Sequence, residues 1–167
     1  MAPESEGLPV LPLYRVAHAA LAVGAIRLAA GGLGFGAALL AGAGARPAGA
    51  ALAFGFGASV VALVANQRWA FYDPPPIAEL PSVADRDGAF GSAVRRALMP
   101  STVGVAALLA VSLPFEAILS AVLAGILAGM SAVGLASCVD VALWERHERL
   151  RLYADLTQPP QRFGAAR

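Results

Sequence analysis

The sequence predicts an all-α integral membrane protein: four transmembrane helices in an up-down-up-down bundle of two hairpins, with N and C termini cytoplasmic. Three observations carry this reading. Residues 28–45, 48–67, 97–113 and 117–139 hold no Asp, Glu, Lys or Arg, and a helix needs roughly 17–25 mainly apolar residues to cross the hydrocarbon core. The first and third connections between these runs are short, whereas the second is long. Arginine is distributed very unevenly over the two sides that such a path defines.

The elements follow in order. Residues 1–12 form a short cytoplasmic tail carrying Glu4 and Glu6 and no basic residue; a secretory signal opens with positive charge instead. Residues 13–156 form the transmembrane domain, with spans at about 21–45, 48–67, 97–113 and 115–143 and a cytoplasmic loop at 68–96. Spans one and two join through a tight turn at Arg46 and Pro47. Spans three and four join through Pro114, Phe115 and Glu116, with Glu116 in the first turn of span four, near the positive end of its dipole. Pro100 lies early in span three, where it kinks the helix or marks its first turn. Span four continues as a charged helix through residues 145–156, and residues 157–167 are a tail.

All 12 basic residues are arginine. With four crossings, Arg15, Arg68, Arg86, Arg95, Arg96, Arg146, Arg149, Arg151, Arg162 and Arg167 share one side and Arg46 stands alone on the other. Positive residues accumulate on the cytoplasmic face, which places both ends inside a bacterial cytoplasmic membrane. Trp69, Tyr72, Trp144 and Tyr153 fall near that face, where amphipathic rings favour the headgroup layer.

Helices in lipid gain little by hiding apolar surface from one another, so small residues that allow close approach carry the packing. In span four Ser120, Ala124, Ala128, Ala132 and Ala136 form one column beside Ala121, Gly125 and Gly129. Gly32 and Gly36 repeat the spacing in span one, and Gly49, Ala53 and Gly57 in span two. Packing within one bundle accounts for these pairs more simply than a homodimer interface does.

Ionisable groups at membrane depth are costly and are the first candidates for function. Arg27 and Asp140 qualify, and Asn66 joins them as a neutral polar group. If span one begins near His18, Arg27 lies close to mid-bilayer and needs a partner; if it begins at Leu28, the favoured case since 28–45 is already long enough, Arg27 lies level with Asp140 and Asn66, and an Arg27–Asp140 ion pair comes within reach. Such a pair sets helix register, or lines a polar pocket for a headgroup, an ion or a small solute. Arg146, Arg149 and Arg151 are the candidates for contact with headgroups or a partner protein.

The sequence offers no cofactor, metal or catalytic constellation. His18 and His147 both lie at the cytoplasmic surface, Cys138 is a lone cysteine suited to packing, and no nucleophile elbow, phosphate loop or HExxH occurs. A net charge of +1 gives no argument for nucleic acid. The expectation is therefore not an enzyme but a non-catalytic subunit or assembly component of a membrane complex. It would work in the bilayer as a homo-oligomer or within a larger complex, and meet cytoplasmic proteins through loop 68–96 and tail 145–167. The alternative is a small oligomeric transporter or channel that uses Asp140 as its coupling or binding carboxylate. A lipid-modifying enzyme ranks third, because no paired carboxylates or histidine cluster lie near the surface.

Overall fold

The computed structural model describes residues 11–67, 77–79, 84–85, 89–149, 151–155 and 162–166. Five helices carry the fold: α1 (Val16–Leu40), α2 (Ala45–Gln67), α3 (Phe90–Leu98), α4 (Ser101–Ser112) and α5 (Ala117–Glu148). Helices α1, α2 and α5 are each long and apolar enough to cross a membrane. At roughly 18 Å, α4 falls short of a hydrocarbon core about 30 Å thick. It reaches spanning length only together with α3, from which it is bent by 48°. Among the described residues three helices are thus long and apolar enough to span, or four if the bent pair counts as one, consistent with a multi-pass membrane protein.

Short strands not foreseen from the sequence gather at one end: β1 (Leu11–Arg15), β2 (Ile77–Glu79), β3 (Ala84–Asp85), β4 (Arg151–Asp155) and β5 (Arg162–Ala166). Their order is β2-β5-β4-β1-β3. Strand β4 runs antiparallel to β1, with Arg15 opposite Tyr153, and antiparallel to β5. The segments before α1, between α2 and α3, and after α5 therefore meet in one sheet. Among the described residues, the other end holds the two helix-to-helix turns, α1 to α2 and α4 to α5.

Those turns differ from expectation in detail. Gly42 (φ 95°) ends α1: the Ala43 N–H donates to the Ala38 carbonyl at 3.1 Å and the Gly42 N–H to that of Leu39 at 3.1 Å. This paired Schellman closure needs a left-handed residue, which glycine adopts without strain. The turn therefore lies at residues 41–44. Arg46 and Pro47 belong to the first turn of α2, where a missing N–H costs little. Glu116 is the N-cap of α5, its carboxylate accepting from the Ile118 N–H at 3.3 Å.

Helix α5 occupies the centre, with α1, α2 and α4 packed around it, while α1 and α2 touch each other little. It runs parallel to α2 and antiparallel to α1. A Cβ on Gly125 would fall on the Leu52 carbonyl, one on Gly129 on the Ser59 hydroxyl, and one on Gly55 on the Val122 carbonyl. On the α1 side a Cβ at Gly31 would lie 2.9 Å from the Ala124 carbonyl oxygen and one at Gly24 2.9 Å from Leu135. The Ser131 hydroxyl donates to the Gly24 carbonyl at 2.6 Å, and the Cys138 thiol to that of Ala17 at 3.3 Å. Leu109, Ala124 and Leu127 close the gap between α4 and α5.

Gly125 and Gly129 thus pack as their spacing implies, and Ala128 sits half-buried against α1. Gly32 and Gly36 do not: a Cβ on either meets nothing within 4 Å. Gly24 and Gly31 take the packing role on α1, because α5 presents its small residues to that face. Ala132 is half-buried at the edge of the α2–α5 contact.

Gly125→Leu is expected to lower the thermal midpoint of the detergent-solubilised protein, since overpacking costs about 1–3 kcal/mol. Gly36→Leu, on an open face, is expected to stay within about 0.5 kcal/mol of the parent. Fluorescence-detected thermal melts of the two variants check both.

Candidate functional site

Polar chemistry gathers at three places towards the sheet end. The first is the break between α3 and α4. Arg27, near the middle of α1, donates from Nε to Thr102 Oγ1 at 2.8 Å and from Nη2 to the Ala97 carbonyl at 3.0 Å, with Ser101 Oγ at 3.5 Å. Pro100 cannot continue the hydrogen-bond ladder, and the last carbonyls of a helix have no intrahelical partner. The guanidinium supplies donors to that end and sets a positive charge where the dipole of α3 is negative. Thr102, only 5% exposed, is satisfied by the same side chain.

Arg27 and Asp140 do not pair. By helix rise Arg27 lies roughly 20 Å from the turn end of α1, whereas Asp140 lies roughly 35 Å from the turn end of α5. The two also face different neighbours, α3–α4 and α2. The sequence reading missed Ser101 and Thr102 as the partners of Arg27, although two hydroxyl residues directly after a proline in an apolar run were a visible signal.

The second place ties the sheet to the bundle. Glu145, 9% exposed, accepts from Arg15 Nη2 at 2.9 Å and from the Leu152 N–H at 2.9 Å. Arg15 also lies 3.0 Å from His18 Nε2. One carboxylate therefore joins the start of α1, the end of α5 and β4. The geometry requires the chain to reverse directly after α5, and Arg149 does this with a left-handed conformation (φ 54°). The expected helix through residues 145–156 accordingly stops at Glu148 and continues as a strand. Tyr153, in β4, is buried (5% exposed) rather than open to headgroups, and Ala154 packs with Ala19, Ala89 and Ala93.

The third place is a cleft of about 350 Å³ between α2 and α5, with Phe56, Val60 and Val64 on one wall and Ala136, Ser137 and Asp140 on the other. Asp140 is exposed at its sheet end. Asn66 lies in the last turn of α2, at the same level by register, but its side chain is outside the described residues. So are Trp69 and Tyr72.

Helix α3, also unforeseen, buries Ala93 and carries Arg95 and Arg96 in its last turn. Ser92, Arg95, Arg96 and Met99 border an open groove of about 590 Å³. Arg146, Arg149 and Arg151 are exposed at the end of α5 and the start of β4. Among the described residues no three His, Cys, Asp or Glu side chains gather as metal ligands do.

Arg27→Met, which removes the donors to Thr102 and Ala97, is expected to destabilise by about 1–3 kcal/mol, with partial recovery in Arg27→Lys. Asp140→Asn is expected to leave the thermal midpoint unchanged, since Asp140 is exposed. Glu145→Ala is expected to release the Leu152 amide, read as faster hydrogen exchange there than in α5. Compared with models of protein families, with curated proteins and with solved structures, the chain matches none.

Proposed function

We propose that this is a multi-pass protein of the bacterial cytoplasmic membrane, acting as a non-catalytic subunit or assembly component of a membrane complex with its sheet end in the cytoplasm. The arginine distribution supports that orientation. The observation that carries the role is the use made of the charged groups nearest the membrane. Arg27 braces a broken helix and Glu145 binds the sheet to the bundle, so both build a shaped end. That end displays Arg95, Arg146, Arg149 and Arg151, a surface suited to anionic headgroups or to an acidic face of a neighbouring protein. The smooth outer faces of α1 and α2, with Gly32, Gly36, Gly49 and Gly57 open, suit a helix of another subunit.

A second reading, a small oligomeric transporter, is favoured by the cleft that ends at Asp140. Purification from native membranes in mild detergent separates the two. An accessory subunit is expected to carry a stoichiometric partner, which Arg146→Gln with Arg151→Gln releases without lowering the thermal midpoint. A homo-oligomer free of any partner counts against the subunit reading and favours transport.

A further inference from the structure

We propose that the α2–α5 cleft binds a single-chain amphiphile with a cationic, phosphate-free head: the hydrocarbon tail lies between the helices and the ammonium group rests on Asp140. This goes beyond the subunit reading and does not depend on it.

The cleft follows from the way the two helices meet. Towards the turn end their backbones touch at Gly125 and Gly129. Beyond Gly129 the facing positions become Val60 and Val64 on α2 and Ala136 and Ser137 on α5, and a cavity of about 350 Å³ opens between them. This is within the size range of small-molecule sites, which are mostly apolar with a few placed polar groups. The cleft lies roughly 20–35 Å from the turn end of α5, so its apolar part falls at acyl-chain depth and its mouth near the headgroup layer. Phe56, Val64 and Ala136 are exposed along its rim, which leaves it open sideways to a chain moving in the leaflet.

Charge selects the head. Asp140 is the one ionisable residue among the described residues bordering the cleft, and among the described residues no ion pair or hydrogen bond engages its carboxylate. A phospholipid would bring its phosphate to within a few ångströms of this carboxylate, with no described basic side chain in the cleft to receive it. A quaternary or protonated amine meets no such repulsion, and its attraction to Asp140 is stronger at the edge of the hydrocarbon than in bulk water.

The test uses the full chain in a non-ionic maltoside, read by native mass spectrometry. Two probes share a twelve-carbon tail and a trimethylammonium group: dodecyltrimethylammonium, and dodecylphosphocholine, which adds a phosphate. The expected result is one dodecyltrimethylammonium retained per chain, about tenfold more tightly than dodecylphosphocholine, with the preference lost in Asp140→Asn. Ala136→Leu, which fills the cleft and keeps the carboxylate, is expected to lose the bound probe. Equal retention of both probes overturns the proposal, as does a preference unchanged in Asp140→Asn. Preferential retention of phosphatidylethanolamine in a competition arm also overturns it and assigns the cleft to a membrane lipid. If Asp140→Asn does not fold, Ala136→Leu decides: loss of the probe supports the site, and full retention overturns it.

Discussion

Backbone-to-backbone approach around α5 is the constraint on which the rest of the structure depends. Between helices surrounded by lipid, burying apolar surface gains little, so stability rests on dispersion contacts and a few interhelical hydrogen bonds. Side-chain-free positions make that approach possible: Gly125, Gly129 and Gly55 against α2, and Gly24 and Gly31 against α1. The Ser131 hydroxyl bond to the Gly24 carbonyl exists because those two backbones are already close. Leu127, fully buried, and Leu109 then pack α4 onto the remaining side.

That arrangement explains where charge is tolerated. A guanidinium in the apolar zone is costly unless its donors are engaged. A broken helix in the same zone is costly unless its free carbonyls are met. Arg27 and the α3–α4 break each supply what the other lacks, so two unfavourable features become one satisfied contact. Glu145 does the same at the sheet end, where its two oxygens are taken by Arg15 and by the Leu152 N–H. Asp140, by contrast, is exposed at the sheet end of the α2–α5 cleft, and among the described residues no ion pair or hydrogen bond engages it.

The three helices long and apolar enough to span, α1, α2 and α5, were legible in the sequence because length and scarcity of charge decide them locally; the expected span at 97–113 was not, since the helix breaks at Pro100 and is bent by 48° there. The small-residue face of α5 was legible for a related reason: its Gly and Ala positions fall on one side, with bulky residues opposite. Helix α1 was not readable in the same way. With Gly24, Gly31, Gly32, Gly34 and Gly36 within four turns, composition points to several faces, and only the position of α5 selects Gly24 and Gly31. The partners of Arg27 lie some 70–75 positions away, beyond any local signal. The sheet escaped notice because its strands are two to five residues long, and β1 and β4 pair across most of the chain.

The central position of α5 also sets an order of events during synthesis. The helix around which α1, α2 and α4 gather leaves the ribosome after all three of them, and β4 and β5, which join the sheet, leave later still. Until then α1 and α2 share a turn but little packing surface, and the α3–α4 break has no finished bundle behind it. The earlier helices therefore have no shared neighbour to pack on until α5 is made, and the bundle closes only after it.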